Sequence, residues 1–216
     1  MAAINIIGTV GAGKTTLASK LQQATKLPVG YEADSEELNE ETRSLLKKYY
    51  ANPQKYALEK NLFFLKQRKN TLFKNIINQA YISDRFLYDD FVMALLNLRN
   101  NQMTEDEWNT YESEFNEVEN IFYHDKKSID DILIFIKPGF DHALAQIKKR
   151  GRKEEQVTNH PELKEYYRDM YDLYLEIFKN WKTTPIIVVE HVEEIDINAL
   201  VQEIKEKQPA FNTLIP

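Results

Sequence analysis

Cysteine is absent from the 216 residues, so disulfide bonds, thiolate nucleophiles and thiolate metal ligands are excluded. An excess of positive charge is also missing, because 28 Lys and Arg residues face 34 Asp and Glu residues and give a formal net charge of −6. Such an acidic chain has no overall field that attracts nucleic acid or an anionic membrane, and we expect neither as a partner. The sequence has no apolar run of about 18 residues and no basic leader before an apolar stretch. We therefore expect a cytoplasmic protein.

Hydrophobic residues make up 43% of the chain, which suits the core of one ordinary domain, and we expect a single domain over residues 1–216. Five short apolar runs predict strands. They are Ala3–Ile7, Pro28–Glu32, Ala80–Asp84, Asp131–Lys137 and Pro185–Glu190. The last two, DILIFIK and PIIVVE, are continuously apolar, which is typical of strands buried on both faces of a parallel sheet.

Helical segments separate these strands. They begin near residues 14, 36, 53, 87, 104, 141, 161 and 195. Asn52 before Pro53 is a typical helix start, and Thr104 with Glu107 has the pattern of a capping box. The alternation of strands and helices predicts an α/β fold with a five-stranded parallel sheet flanked by helices. The final segment, PAFNTLIP, is compatible with a frayed end or with packing on the body.

The segment GTVGAGKT lies between the first predicted strand and the first helix and fits the phosphate-binding pattern G-x-x-x-x-G-K-[ST]. Its glycines let backbone N–H groups converge on phosphates, and the helix N-terminus adds partial positive charge. Lys14 is expected to reach the β- and γ-phosphates and the Thr15 hydroxyl to bind Mg²⁺. A tight turn without a ligand is the alternative. The expected ATP site comprises Gly8, Thr9, Val10, Gly11, Ala12, Gly13, Lys14, Thr15 and Thr16.

Two further predicted strands end in acidic residues. Ligands of open α/β sheets bind at the carboxyl ends of strands, so Asp84 is expected to face the same crevice as Thr15 and to hold Mg²⁺ directly or through water. Arg85 would bind an anion or orient a carboxylate. Glu32 ends the second strand and would accept a proton from an attacking hydroxyl. Helix capping is the alternative for Asp84, and a capping or surface role is the alternative for Glu32.

The run IKKRGRKEEQ, Ile147–Gln156, surrounds one glycine with basic residues. A mobile basic loop suits phosphoryl transfer, because arginine stabilises charge on the transferring group. A solvated helix end, whose cations complement the helix dipole, is the alternative.

Together these motifs resemble the deoxynucleoside kinase family, particularly its bacterial deoxyadenosine and deoxyguanosine kinases, over nearly the whole chain. The similar segments are GTVGAGKTTL, GYEAD, YYANPQKYAL, SDRFLYDD and IKKRGRKEEQ. The resemblance implies a P-loop NTPase fold of the nucleoside kinase type, with a short lid at about residues 148–157. It also implies a purine deoxynucleoside substrate, and a homodimer or a heterodimer with a related subunit.

The resemblance also implies roles for individual residues. It makes Glu32, Arg85 and Lys14 catalytic and gives Arg150 and Arg152 contacts to the phosphates. The implied substrate-binding residues are Glu32, Tyr50, Asn61, Arg85 and Glu155, and the implied metal ligands are Thr15 and Asp84.

The base pocket departs most from the family pattern. Tyr50 and Glu155 are expected at the sugar 3′-hydroxyl and Asn61 at the base edge, where the family usually has glutamine. Asparagine keeps an amide that donates and accepts, but its side chain is one methylene shorter. The serine of the family's D-R-S element is Phe86 here, and Met93-Ala94 stands where an aromatic residue is expected about ten residues after Asp84.

The residues around Glu32 favour a hydroxyl acceptor over a phosphate acceptor. A nucleoside monophosphate carries about two negative charges and needs cations around it, whereas Asp34, Glu36 and Glu37 follow Glu32 closely. A carboxylate is repulsive beside a phosphate and useful beside a neutral 5′-hydroxyl. The expected function is phosphorylation of a deoxynucleoside 5′-hydroxyl by ATP, for nucleotide salvage. The alternatives are a nucleoside monophosphate kinase and a nucleotide-binding regulatory protein with little transfer activity.

An aromatic stripe at helical spacing is expected to pack in the core or against another subunit. It comprises Tyr166, Tyr167, Tyr171, Tyr174 and Phe178. The four histidines show no spacing typical of metal ligands.

Overall fold

The computed structural model describes residues 2–31, 40–75, 80–123, 130–152 and 155–215. A five-stranded sheet forms its centre. The strands are β1 Ala2–Gly8, β2 Val29–Gly30, β3 Ala80–Asp84, β4 Asp130–Ile136 and β5 Ile186–Val189. They lie in the order β2-β3-β1-β4-β5, and every neighbouring pair is parallel. The predicted five-stranded parallel sheet is therefore confirmed.

Helices flank this sheet. They are α1 Lys14–Thr25, α2 Glu40–Ala51, α3 Pro53–Asn75, α4 Leu87–Arg99, α5 Glu105–Tyr123, α6 Phe140–Arg150, α7 Leu163–Lys179 and α8 Ile197–Lys207. Asn52 Oδ1 accepts a hydrogen bond from the Lys55 N–H at 3.2 Å, so Asn52 caps α3 as predicted. Thr104 and Glu107 form both bonds of the predicted capping box, at 2.8 and 3.2 Å. Two expected boundaries, the end of the second strand at Glu32 and the start of the second helix at 36, lie outside the described residues.

The core consists of two apolar layers, one on each face of the sheet. Along β4, Ile132, Ile134 and Ile136 face the layer that includes α1 and α8, whereas Leu133 and Phe135 face the layer of α3 to α7. Successive side chains of a strand point to opposite faces. A strand covered by helices on both sides is therefore apolar at every position, which explains the continuous run in the sequence.

The C-terminal segment packs against the body of the protein. A short 3-10 helix, Pro209–Thr213, places Phe211 in the core, where its side chain is fully buried, and Ile215 is buried beside it. Of the two alternatives for PAFNTLIP, the described part of the segment packs on the body and is not frayed. No helix in the part of the chain that the structure describes is long and apolar enough to cross a membrane.

Candidate active site

A cavity of about 520 Å³ lies at the carboxyl edge of the sheet. Gly11, Lys14 and Thr15 line one end of it, and Tyr50 and Asn61 line the other. The phosphate loop and the residues expected to bind sugar and base therefore share one cavity. This location agrees with the rule that open α/β sheets bind ligands at the carboxyl ends of their strands.

Gly8 and Gly11 allow the phosphate loop to pass close to its neighbours. A Cβ atom on Gly8 would lie 2.7 Å from the carbonyl oxygen of Ile136, and one on Gly11 would lie 2.5 Å from the carbonyl oxygen of Ala143. Gly11 also has a φ angle of +78°, which side-chain-bearing residues rarely adopt. The loop can therefore lie directly against β4 and α6 only because these two positions lack a side chain.

Lys14 begins α1 and folds back over the loop. Its ammonium group donates to the carbonyl oxygens of Gly8 at 2.5 Å and Thr9 at 2.9 Å, and its side chain is buried. The amine is thus held above the loop backbone at the N-terminus of a twelve-residue helix. A fixed cation beside a helix N-terminus fits a triphosphate group.

Thr15 and Asp84 lie face to face across the crevice. Thr15 Oγ1 donates to Asp84 Oδ2 at 2.7 Å, which joins the start of α1 to the end of β3. A hydroxyl oxygen and a carboxylate oxygen at the edge of a phosphate loop are the kind of ligands that Mg²⁺ prefers. The two residues expected to hold the metal are therefore adjacent, and their chemistry fits it.

Arg85 follows β3 in a constrained conformation. Its φ angle is +77°, which is uncommon for a residue with a side chain. Its backbone N–H donates to the Ile6 carbonyl at 3.1 Å, and its own carbonyl accepts from Ser83 Oγ at 2.5 Å. Arg68, which pairs with the buried Asp90 at 2.9 Å, lies against the same carbonyl. The turn that presents the Arg85 side chain to the cavity is thus fixed from several sides.

Asp89 links the phosphate loop to the core by hydrogen bonds. Its carboxylate accepts from the backbone N–H of Gly8 at 3.3 Å, from the N–H of Phe86 at 2.8 Å and from the Tyr174 hydroxyl at 2.6 Å. The Phe86 side chain is buried in the hydrophobic core and does not line the cavity. The sequence departure at Phe86 therefore serves packing.

The aromatic stripe packs in the core, which is one of the two arrangements predicted for it; the other was packing against another subunit. Tyr167, Tyr174 and Phe178 are buried in the layer of α3 to α7, and Tyr166 and Tyr171 pack against it. This gives α7 a mostly apolar inner face, from which the Tyr174 hydroxyl donates to the Asp89 carboxylate.

The basic run forms the end of α6 and the segment after it. Helix α6 ends at Arg150, and Gly151 follows with a φ angle of +74°, the left-handed conformation typical of a helix end. Arg150 and Arg152 both pair with Glu155, the latter at 3.3 Å. Residues 153 and 154 of the expected lid lie outside the described residues. The two arginines expected at the phosphates and the glutamate expected at the sugar are thus partners of one another here.

Tyr50 and Glu155, both expected at the sugar hydroxyl, line the same cavity. Burial, together with the negative charge of Glu155, raises the pKa of Tyr50 above its ordinary value. The Tyr167 hydroxyl donates to the Glu155 carbonyl at 3.1 Å and holds the backbone of this segment in place. A protonated Tyr50 hydroxyl and the Glu155 carboxylate offer one donor and one acceptor to a ligand hydroxyl.

Asn61 and its neighbour Lys60 form the far end of the cavity. Both side chains are buried, and both bond to Asn97 Oδ1, Asn61 at 2.9 Å and Lys60 at 3.0 Å. Burial lowers the pKa of Lys60 to about 7; Asp90 opposes this shift and Arg85 adds to it. Neither Lys60 nor Asn97 was predicted from the sequence to have a role. Buried positions of α3 recur at 57, 60, 61, 65 and 68. The helical spacing of these positions places Lys60 on the inner face of α3, and a lysine there was the one sign in the sequence of a functional role.

Glu32, the expected catalytic base, lies outside the described residues. The described strand β2 ends shortly before it and pairs with β3, which ends at Asp84. Its role remains the prediction made from the sequence.

A family model described as "Deoxynucleoside kinase" matches residues 4–214, nearly the whole chain. The chain belongs to the deoxynucleoside kinase family. The enzyme class predicted from the phosphate loop and the Asp84-Arg85 element is thereby confirmed. The phosphate loop and the residues expected to bind the nucleoside line one cavity, as a deoxynucleoside kinase requires.

Three relatives illustrate this membership. The chain is 25% identical over 215 residues to a deoxyguanosine kinase of Lactobacillus johnsonii, covering 100% of this chain and 92% of that one. It is 27% identical over 186 residues to a deoxyadenosine kinase of Lactobacillus acidophilus, covering 86% and 84% of the two chains. The structure is similar to that of the deoxyadenosine kinase from M. mycoides with bound dATP, with a TM-score of 0.72, 27% identity and coverage of 96% and 98%.

Proposed function

We propose that this kinase transfers the γ-phosphoryl group of ATP, with Mg²⁺, to the 5′-hydroxyl of a purine deoxynucleoside. The observation that carries the proposal is the single cavity that joins the phosphate loop to the buried polar end at Asn61. The purine preference is supported by the relatives, which are named deoxyguanosine and deoxyadenosine kinases. ATP is the donor that the complete phosphate-loop pattern favours.

The donor end positions and neutralises the triphosphate. Gly8 to Thr16 wrap it with backbone N–H groups, and the Lys14 amine, now held over the Gly8 and Thr9 carbonyls, moves to the β- and γ-phosphate oxygens. Thr15 and Asp84 would hold the metal, Asp84 directly or through water. When bound, Mg²⁺ neutralises charge on the β- and γ-phosphates.

The acceptor end positions the nucleoside. Tyr50 and Glu155 bind the 3′-hydroxyl and Asn61 binds the base edge. Glu32 aligns the 5′-hydroxyl and takes its proton late in an in-line transfer, while Arg85 keeps that carboxylate placed and ionised.

The lid arginines exchange partners during this reaction. Arg150 and Arg152 pair with Glu155 in the present structure. When phosphates arrive, both guanidinium groups move to the transferring group and stabilise its charge. This movement frees Glu155 to bind the sugar, so donor binding and sugar binding are linked through one carboxylate.

We also propose a cytoplasmic enzyme that forms a dimer, either with itself or with a related subunit. The family resemblance supports dimerisation through helices beside the sheet. Light scattering on the purified chain, alone and with a candidate partner, measures the mass and distinguishes a homodimer from a heterodimer.

A transfer assay tests the activity. Radiolabelled ATP is offered with each common deoxynucleoside and with each deoxynucleoside monophosphate, and we expect label only on nucleosides, purines foremost. Lys14→Ala should abolish transfer, whereas Lys47→Ala, at an exposed position of α2, should not change it. Label on monophosphates alone would contradict the hydroxyl acceptor, and nucleotide binding without any transfer would contradict the kinase.

A further inference from the structure

Five polar side chains meet at the nucleoside end of the cavity. This polar cluster consists of Tyr49 on α2, Lys60 and Asn61 on α3, Asn97 on α4 and Gln102 just after α4. Tyr49, Lys60, Asn61 and Asn97 are at least 96% buried, with exposures of 4%, 3%, 3% and 0%. Polar groups removed from water this completely must find their partners in the protein or in a ligand.

Lys60 fixes the orientation of the Asn97 amide. An ammonium group has only donors, so the Asn97 atom that lies 3.0 Å from Lys60 Nζ is the carbonyl oxygen. The Asn97 NH₂ group consequently points the other way. It donates to the Tyr49 hydroxyl at 2.8 Å and to Gln102 Oε1 at 2.6 Å.

Asn97 in turn fixes the orientation of Asn61. Asn61 Nδ2 donates to Asn97 Oδ1 at 2.9 Å and to Met103 Sδ at 3.2 Å. Rotating the Asn61 amide would bring two carbonyl oxygens together, so the rotated form is disfavoured. Both N–H groups of Asn61 are therefore used, and its Oδ1 is the atom left for a ligand.

Lys60 also has donor capacity left for a ligand. One N–H bonds to Asn97, and the ammonium lies 4.2 Å from the centre of the Tyr49 ring, a cation–π contact that uses no acceptor atom. Among the described residues, no further hydrogen bond reaches Lys60 Nζ or Asn61 Oδ1, and both side chains line the cavity. A donor and an acceptor thus stand side by side at its end.

We propose that Lys60 and Asn61 together select a base that presents a carbonyl oxygen beside a ring N–H, which among purines means a 6-oxopurine. Lys60 donates to the carbonyl, and Asn61 Oδ1 accepts from the N–H. Guanine and hypoxanthine present this edge, and thymine presents the same pair of groups on a smaller ring. Adenine and cytosine present the reverse order, an amino donor beside a ring-nitrogen acceptor. The inference rests on the proposed function and narrows its substrate class to 6-oxopurine deoxynucleosides.

Adenine would meet a mismatch at both atoms. Its amino group would face the Lys60 ammonium, donor against donor, and its ring nitrogen would face Asn61 Oδ1, acceptor against acceptor. Buried groups left unpaired in this way carry a large penalty. A good paired contact to the correct base edge gives a discrimination of about 10- to 100-fold.

The titration of Lys60 gives a readout that a purely structural lysine would not give. Arg85 and Asp90 act on its charge, and the Tyr49 ring lies 4.2 Å from its ammonium group; burial raises the pKa of Tyr49. Because burial lowers the pKa of Lys60 to about 7, the amine loses a proton as the pH rises through neutrality. The neutral amine has a lone pair that can accept from the adenine amino group. Selection against adenine should therefore weaken as the pH rises.

The test compares deoxyinosine with deoxyadenosine, whose bases differ at position 6. In the wild-type enzyme at pH 6.5 we expect kcat/KM for deoxyinosine and deoxyguanosine to exceed that for deoxyadenosine by about 10-fold or more, and the ratio to fall toward pH 8.5. Lys60→Met should reduce the ratio at least 10-fold, remove its pH dependence and raise the absolute rate with deoxyadenosine, since without Lys60 the Asn97 and Asn61 amides can rotate together. Lys66→Met, at an exposed position of α3, is the matched control and should leave the ratio unchanged.

The outcomes separate this inference from the proposed function. Transfer to deoxyadenosine and deoxyinosine at equal rates by the wild type, or an equal fall with both substrates in Lys60→Met, would overturn the inference and leave the kinase activity standing. A preference for thymidine would support the edge recognition and contradict the purine substrate. Transfer to no nucleoside at all would overturn both.

Discussion

Thr15 Oγ1 and Asp84 Oδ2 are joined by a 2.7 Å hydrogen bond across 69 residues of sequence. The sheet explains the contact. β1 and β3 are parallel neighbours, with Ile6 opposite Asp84, so the loop after β1 and the end of β3 reach the same edge. The bond holds a hydroxyl and a carboxylate where a metal beside the phosphates would be bound.

Removing the Thr15 hydroxyl should weaken metal-dependent catalysis. We expect Thr15→Val to lower activity, or to raise the Mg²⁺ concentration needed for it, by about 10- to 100-fold. This is the usual effect of losing a group that positions a metal or its ligands. Thr15→Ser keeps the hydroxyl and should retain most of the activity. Magnesium titrations of initial rate measure both effects, and equal titration curves for the three enzymes would remove Thr15 from the metal site.

Glu32 is predicted to be the catalytic base. Glu32→Gln should lower kcat by roughly 10²-fold or more, the scale of general-base catalysis, because an amide cannot take the proton from the 5′-hydroxyl. ATP affinity, measured by calorimetry, should stay the same since the donor lies at the phosphate loop. Unchanged turnover would exclude Glu32 from the mechanism.

Tyr174 is predicted to stabilise the phosphate loop through Asp89. Tyr174→Phe removes the 2.6 Å hydrogen bond to a buried carboxylate and should lower the free energy of unfolding by about 1–3 kcal/mol. Tyr171→Phe on the same helix is the control, because no hydrogen bond of its hydroxyl occurs among the described residues. Urea denaturation measures the difference. Equal stability of the two variants would mean that the hydrogen bond from Tyr174 to Asp89 does not stabilise the fold.

Asp131 is predicted to make stability depend on pH. Burial raises its pKa from an ordinary 3.8 to about 7, against the opposing hydrogen bond from Asn5 at 3.2 Å. The folded state therefore keeps a proton that the unfolded state releases. The resulting stabilisation is complete below pH about 4 and is lost as the pH rises to about 7, with a slope of up to about 1.4 kcal/mol per pH unit.

Asp131→Asn should flatten this part of the profile, because the amide does not titrate. Asp131 Oδ1 and Asn5 Oδ1 both lack a hydrogen-bond partner among the described residues. Both atoms are acceptors, so a proton on the Asp131 carboxyl group supplies a donor that this site needs. Denaturation measured between pH 4 and 8 tests the prediction. A variant with the wild-type slope would show that another group titrates.

Local patterns were enough to predict the fold and the phosphate end of the site. Gly8 to Thr15 form a contiguous motif, and the continuous apolar runs identify strands buried on both faces, so the parallel sheet follows. Its carboxyl edge then brings Thr15 and Asp84 together without any knowledge of side-chain packing. The contact at 2.7 Å agrees with that expectation.

The nucleoside end depended on contacts that no local pattern encodes. Lys60 and Asn97 are 37 residues apart on different helices, and Tyr174 reaches Asp89 across 85 residues. Whether Lys60 is a solvated cation or a buried donor depends on how α3 packs against α4. The sequence by itself predicted a triphosphate-binding loop and its place after the first strand. Only the tertiary structure decided which atoms of Lys60 and Asn61 are left to face the cavity, because the orientation of a buried amide is set by the donors and acceptors that surround it in space.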